Sequence, residues 1–332
     1  MNLPSPYLLF IGQATDPLSI KMAKSAADWS PEKCIGEYSL PGCTVSTGLP
    51  SMSIQEGAQQ GAKGFVLGFA NSGGVLDASL IDSILEALEA GMDIINGLHD
   101  KLADIPEVAA KAADLGRKLI DIRHPTTKFK TGNGMPRRGK RLLTVGTDCS
   151  VGKMYTTLSL AKTMQKKGLN ATFRATGQSG ILVAGEGVAV DCVISDFISG
   201  AVEALCPENS EDHWDLVEGQ GSLFHPAFAG VSLGLLHGAQ PDALVICHAL
   251  NRDHMRAIPG RPLPSLEQVI NMNLNAARVT NPAVRIIGIS VNTSAVNEIE
   301  AQVYCNEVTE RLGLPCVDPI RHGVKPLVES LE

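Results

Sequence analysis

The sequence predicts an α/β protein of two domains, each built on a parallel β-sheet covered by helices. Two observations predict this fold class. Short apolar runs typical of buried strands alternate with segments of helical periodicity. A polar stretch rich in Pro, Gly, Lys and Arg at 124–140 interrupts that alternation once. We therefore expect a first domain over residues 1–125, a linker over 126–140 and a second domain over 141–332.

The first domain is expected to begin on the strand YLLFIG (7–12) and to continue with the strand GFVLGF (64–69). Residues 79–91 then place leucine and isoleucine on one helical face before a glycine ends the helix. The runs MDIINGL and KLIDIRH predict two more strands, with a helix in PEVAAKAADLG between them. The turn at 70–77 contains no GxGxxG, so a nicotinamide site there is not favoured.

The second domain is expected to begin with the strand RLLTV (141–145), a glycine-rich loop and a helix over 153–168. Further strands are predicted in the runs NATFRA, DLVEG, ALVICH, RIIGISVN and PCVDPI. The prediction is therefore a second α/β sheet of about six strands.

Composition narrows the possible functions. The net charge of −7 and the aromatic content of 4% argue against a nucleic-acid partner. No apolar run approaches the roughly 18 residues of a membrane span, and the N-terminus lacks the features of a secretory signal. The eight cysteines are scattered without a CxxC pair, which is typical of reduced thiols. We expect a cytoplasmic protein that acts on small molecules.

The segment VGTDCSVGKMYTT (145–157) has the features of a phosphate-binding loop. Its glycines and the following helix N-terminus would form a nest of backbone N–H groups for an anion, and its lysine would add a positive charge. The expected cofactor-binding residues are Gly146, Thr147, Asp148, Cys149, Ser150, Val151, Gly152, Lys153, Met154 and Tyr155.

One residue of this loop departs from the usual pattern. Met154 follows the lysine, where such loops normally place a Ser or Thr hydroxyl on Mg²⁺. Transfer of a phosphoryl group needs that ion to neutralise developing charge. The loop therefore favours a cosubstrate whose phosphates are only bound, and coenzyme A fits that description.

The loop resembles the GTDTxVGKT loop of dethiobiotin synthetase, and HWDLVEGQGSLFHP (213–226) and IIGISVN (286–292) resemble later motifs of that family. Over nearly the whole chain, ALEAGMDIINGLHDKL, RATGQSGILVAG and DFISGAVEAL together with these motifs are similar to a bacterial family that includes D-glutamate N-acetyltransferases. The resemblance implies a Rossmann-like N-terminal sheet, a P-loop NTPase-like C-terminal sheet and acetyl-CoA as cosubstrate.

Acetyl transfer to an amine needs a base and a stabilised thioester oxygen. We predict that Glu218, Lys153, Asp196 and His225 act in catalysis. For Glu218 the alternative is a residue that only holds the lysine or a water. For Asp196, with Ser195, the alternative is an N-cap of the following helix. Asp148 is expected to cap amides of its own loop.

Substrate carboxylates need cationic groups and donors. We predict contacts from Arg174, Gln178, Ser179, Gly180, Arg252 and Arg256, although a flexible turn and a solvated loop explain the same residues. His248 with His254 does not have the ligand spacing of a zinc site, so we expect no metal. Two interpretations of Cys149 remain: it forms a covalent acetyl-cysteine during the reaction, or it is a small side chain that only packs in the loop.

The sequence thus predicts a homo-oligomeric N-acetyltransferase that moves the acetyl group of acetyl-CoA to an acidic amino acid, D-glutamate in particular. The alternatives are an ATP- and Mg²⁺-dependent ligase or carboxylase of the dethiobiotin synthetase type, and a nucleotide-binding regulatory protein without catalysis.

Overall fold

A computed structural model of the chain describes residues 3–70 and 77–331, so most of the turn at 70–77 lies outside the described residues. The chain divides into two compact units. The first unit comprises Met1–Thr126 and Gly177–Cys192, and the second comprises Thr127–Thr176 and Val193–Glu332.

The first unit contains a parallel sheet, and the described residues place its strands in the order β2-β1-β3-β4-β5. The strands are β1 (Tyr7–Phe10), β2 (Cys34–Tyr38), β3 (Gly64–Leu67), β4 (Asp93–Asn96) and β5 (Leu119–Asp121). The helices are α1 (Lys21–Trp29), α2 (Ile54–Gln59), α3 (Ala78–Glu89), α4 (Pro106–Asp114) and α6 (Gln178–Ala184). This is the Rossmann-like sheet expected from the sequence.

The core of the first unit forms where strand side chains meet helix side chains. Phe10 of β1 and Phe65 of β3 stack with ring centroids 5.0 Å apart. Ile84 and Leu88 of α3 pack into the same cluster, as the i, i+4 spacing of the sequence predicts. Asp77 caps α3 by accepting a hydrogen bond from the Leu80 amide, which explains where this helix begins.

The second unit contains a parallel sheet with the strand order β11-β10-β9-β6-β8-β7 within the described residues. The strands are β6 (Lys140–Gly146), β7 (Ala171–Arg174), β8 (Trp214–Val217), β9 (Ala243–Ala249), β10 (Arg285–Asn292) and β11 (Cys316–Val317). The helices are α5 (Lys153–Lys166), α7 (Ile198–Leu205), α8 (Ala229–Ala239), α9 (Leu266–Ala277), α10 (Glu298–Leu312) and α11 (Lys325–Glu329).

Helix starts in the second unit follow local sequence signals in two cases. Ser265 with Gln268 forms a capping box at α9, and Asn297 with Glu300 forms another at α10. Ser195 and Asp196 do not cap α7, because they lie in a 3₁₀ turn and the N-cap position falls on Phe197. The alternative interpretation of these residues as an N-cap is therefore wrong.

Two segments are placed differently from the simple division drawn from the sequence. Residues 177–192 follow β7 of the second unit but pack with the first unit, where the Lys33 ammonium donates to the Val183 carbonyl at 3.0 Å. The basic segment expected as a linker packs onto the second unit. The Arg137 guanidinium donates to the backbone carbonyls of Glu203, Cys206 and Gly238 at 2.6–2.8 Å. This side chain therefore fixes the segment to the ends of α7 and α8.

No helix in the described parts of the chain combines the length and the apolar character that crossing a membrane requires.

Candidate functional site in the second unit

The loop between β6 and α5 (147–152) has the backbone conformation of an anion nest. Gly152 has φ of +95°, and Ser150 lies at +52°, so the chain turns sharply into the helix N-terminus. The Thr147 amide donates to the Cys247 carbonyl of β9 at 3.0 Å, which ties the loop to the sheet. A Cβ at Gly146 would lie 3.0 Å from that same carbonyl, which favours glycine where β6 ends.

Lys153 begins α5 and lies buried against the loop. Its ammonium donates to the Asp148 carbonyl at 2.8 Å. Burial lowers the pKa of Lys153, while the nearby Cys149 and Asp148 act in the opposite direction. An anion in the nest would favour the charged ammonium, so this lysine is suited to bind a phosphate.

The segment after β9 folds over the loop. The Arg252 guanidinium donates to Asp148 Oδ2 at 2.9 Å and to the carbonyls of Cys149 and Ser150 at 2.6 and 2.9 Å. The Arg256 amide donates to Asp148 Oδ2 at 2.7 Å. Asp148 therefore anchors the 252–256 segment, and the expectation that it caps amides of its own loop is wrong. Arg252 shapes the loop in this structure.

Glu218 lies directly after β8 and is buried. Its Oε2 accepts from the Thr176 amide at 3.0 Å, and the Thr176 hydroxyl donates to the Glu218 carbonyl at 2.6 Å. The next residue, Gly219, donates its amide to Thr144 Oγ1 at 3.0 Å and approaches the Lys153 side chain. Glu218 therefore lies at the carboxyl edge of the sheet, where parallel sheets bind ligands, one residue before the glycine that approaches the loop lysine.

Two histidines contact the loop region from different elements. His248 of β9 pairs its Nδ1 with the Thr147 hydroxyl at 3.1 Å, and burial, aided by Arg252, lowers the pKa of His248 to about 4. His225 is buried, stacks on Phe228 and places its Nε2 2.9 Å from the Arg256 carbonyl.

One cluster of side chains at this site was not predicted from the sequence. Side-chain donor atoms of Asp148, Cys149 and His225 all lie within 4.8 Å of one another. The first two are adjacent in the loop, but His225 comes from the turn before α8, so no local motif joins them. An aspartate–cysteine pair in a glycine-rich loop was the one sequence signal available.

The other predicted residues are placed as follows. Arg174, at the end of β7, pairs its Nε with Asp215 Oδ1 at 2.7 Å. Asp196 is exposed in the turn before α7. Gln178, Ser179 and Gly180 begin α6, which belongs to the first unit. The substrate-binding and catalytic roles assigned to these residues stay predictions.

Comparison with known proteins identifies the family. Residues 38–125 match a Rossmann-like domain and residues 128–328 a P-loop domain, described as the DUF1611_N and DUF1611_C domains of unknown function. The chain is similar to a protein named D-glutamate N-acetyltransferase from Pseudoalteromonas sp, at 60% identity over 100% of both chains. A protein of the same name from Tritonibacter scottomollicae is 49% identical over 99% of both chains.

A solved structure supports the same assignment. The crystal structure of a DUF1611 family protein from Anabaena variabilis ATCC 29413 has a TM-score of 0.86 at 30% identity, covering 98% of this chain and 99% of that chain. Because the match spans both units, this chain belongs to the DUF1611 family, in which a Rossmann-like domain is joined to a P-loop domain.

Proposed function

We propose that this protein transfers the acetyl group of acetyl-CoA to the amino group of D-glutamate. The observation that carries the proposal is the full-length similarity, at 60% and 49% identity, to two proteins named D-glutamate N-acetyltransferase. The reaction forms an amide bond between the substrate nitrogen and the acetyl carbon. It breaks the thioester C–S bond, and the proton lost by the amine balances the one gained by the CoA thiol.

The geometry of the loop supports a role in holding phosphates. The loop turns into the N-terminus of α5 at Gly152, and the buried ammonium of Lys153 lies against the loop. Met154 offers no hydroxyl to a magnesium ion at its position. A loop of this kind suits the phosphates of coenzyme A, which are bound but not transferred.

The acceptor amine must lose a proton before or during attack. We assign the general base to Glu218, because it is a buried carboxylate at the carboxyl edge of the sheet, directly before the glycine that approaches the loop lysine. The Thr176 amide orients this carboxylate by donating to Oε2 at 3.0 Å. The homo-oligomeric state and the cytoplasmic location expected from the sequence stay predictions.

The test is release of free thiol from acetyl-CoA by the purified chain, with D-glutamate, L-glutamate or no acceptor. We expect release that depends on D-glutamate and does not require added Mg²⁺ or ATP. A Glu218→Gln variant should lose activity by about 100-fold or more, while its melting temperature stays close to that of the wild type. Glu186→Gln, a surface change in the first unit, is the matched control.

Two results would contradict the proposal. Thiol release that is unaffected by the acceptor would indicate thioester hydrolysis. Phosphate release from ATP that requires Mg²⁺ and is accompanied by no thiol release would instead support a ligase of the dethiobiotin synthetase type.

A further inference from the structure

We propose that Asp148, Cys149 and His225 form a binding site for a divalent transition-metal ion of the zinc class. Their carboxylate oxygen, thiol sulfur and imidazole nitrogen lie within 4.8 Å of one another in the second unit. This set of oxygen, sulfur and nitrogen donors is the one that zinc prefers. The site does not depend on the proposed acetyl transfer.

The contacts of Asp148 leave one oxygen available to the ion. Oδ2 accepts from the Arg252 guanidinium and from the Arg256 amide. Oδ1 is buried and makes no hydrogen bond, and the side chain is fully buried. A buried carboxylate oxygen without a partner costs free energy, so the structure calls for a cation at this atom.

The contacts of His225 indicate which ring nitrogen carries a lone pair for the ion. A carbonyl can only accept, so the 2.9 Å contact with the Arg256 carbonyl places the ring proton on Nε2. Nδ1 then carries the lone pair and accepts from the Ala227 amide at 3.3 Å, so an ion bound at Nδ1 would replace this hydrogen bond. A histidine that binds a metal typically donates its other ring N–H to a carbonyl in this manner.

The peptide of Arg256 therefore orients two of the three donors at once. Its amide holds the carboxylate of Asp148, and its carbonyl holds the imidazole of His225. The third donor, Cys149, is half-buried in the loop directly after Asp148. Such outer contacts fix the orientation of metal ligands, and here one residue supplies both.

The dimensions and charges of the cluster suit such an ion. Zinc bonds of about 2.0–2.3 Å place donors about 3.5 Å apart in a tetrahedron, so the side chains need to close by about 1 Å. The carboxylate and a thiolate would balance the two positive charges of the ion, and Arg252 pairs with the other oxygen of the same carboxylate. Three protein donors leave a fourth position for water or a substrate oxygen.

The experiment uses the full-length chain, stripped of metal with a chelator and then titrated with Co²⁺ as a spectroscopic substitute for Zn²⁺. We expect one cobalt per chain and a thiolate-to-cobalt charge-transfer band. The Cys149→Ser variant should lose that band, and Asp148→Asn and His225→Gln should weaken binding at least 10-fold. Zn²⁺ should raise the melting temperature of the wild type by more than it raises that of these variants.

Cys43→Ser is the matched control, because Cys43 is half-buried in the first unit and lies outside the cluster. It should keep the band and the stoichiometry. The proposal is overturned by a wild-type titration without a charge-transfer band, by a band that persists in Cys149→Ser, or by binding of less than one ion per chain. None of these readouts involves acetyl transfer, so loss of the metal site and loss of the proposed function are distinguishable.

Discussion

The turn that follows the first strand of each sheet can be compared between the two units. β1 and β6 each lie inside a parallel sheet, with a strand on either side. After β1 the chain turns at Gly12, with φ of +59°, and a Cβ there would contact the apolar side chains of Phe69 and Leu80 at 3.5 Å. This turn packs against hydrocarbon.

The turn after β6 differs because its buried side chains are polar. Thr147, Asp148 and Lys153 are all buried there, and Thr144 and Thr157 join their hydroxyls beneath them at 2.9 Å. Buried polar groups cost free energy unless they are paired, so a fold that needs only stability places few of them together. Strand order alone therefore does not locate the site, whereas the concentration of buried polar side chains does.

The largest effect is expected at the glycine beside the loop. A Cβ at Gly219 would lie 1.7 Å from the Thr144 carbonyl and 2.9 Å from the Lys153 side chain. Gly219→Ala should therefore displace backbone, lower the free energy of unfolding by about 4 kcal/mol and abolish CoA binding. Denaturant unfolding and calorimetric titration with CoA measure the two effects.

Two glycine variants elsewhere in the chain are the controls. In the first unit, Gly68→Ala brings a Cβ to 2.5 Å from Ala23, so it should lower stability but leave the affinity for CoA unchanged. Gly230 of α8 has open space around it, and Gly230→Ala should be neutral or stabilising by up to about 1 kcal/mol. Equal loss of CoA affinity in the variants at 68 and 219 would remove the distinction between the units.

The second-largest effect is expected on the rate with acetyl-CoA when the loop loses the positive charge of Lys153. Lys153→Ala removes a buried ammonium that we assign to phosphate binding, so kcat/KM for acetyl-CoA should fall about 100- to 1,000-fold. Truncation of this buried side chain also removes packing and its hydrogen bond to the Asp148 carbonyl, so denaturant unfolding is measured beside activity. Lys167→Ala, at the exposed end of the same helix, is the control and should retain activity. A similar loss in both variants would argue against a specific phosphate contact.

A pH dependence of stability is expected from His248. Its folded pKa is about 4, below the usual 6.5, so the unfolded chain binds the extra proton first as the pH falls. Stability should therefore decrease from pH 6.5 toward pH 4, by roughly 2 to 3 kcal/mol at about 1.4 kcal/mol per unit of pKa. His99 in the first unit has its pKa lowered by burial and contributes in the same direction.

The measurement is denaturant unfolding between pH 4 and pH 7 for the wild type and His248→Asn, whose amide keeps a polar contact for Thr147. The variant should show a shallower decrease toward acid. An identical pH dependence in both proteins would show that His248 is not the group responsible.

The sequence located those parts of the fold that depend on neighbouring residues. The strands of the second sheet and the helix after the loop follow from apolar runs and glycine stops, and the loop itself is contiguous in sequence. β2 was not predicted, because Gly36 and Glu37 are weak strand formers. Glu37 is accommodated there through its carboxylate, which accepts from the amide and hydroxyl of Thr47.

The site was predicted less completely, for a physical reason. Asp148 accepts hydrogen bonds from Arg252 and Arg256, which are 104 and 108 positions away along the chain, and only the fold brings them together. The expected cap within the loop was wrong because this distant segment supplies the donors. The cluster with His225 was missed for the same reason, since ligand spacing along the chain does not reveal it.

The smallest effect is expected at Met154, the residue that separates the two catalytic hypotheses. Met154→Thr restores the hydroxyl that magnesium-dependent loops carry directly after the lysine. If phosphates are only bound, thiol release from acetyl-CoA should stay within about 2-fold of the wild type, because no phosphoryl group moves. Stability should fall by no more than about 0.5 kcal/mol, the difference in helix propensity. Assays of thiol release, and of phosphate release from ATP with Mg²⁺, decide between the two. A gain of Mg²⁺-dependent phosphate release in the variant would indicate that the second unit retains the machinery of a phosphoryl-transfer enzyme.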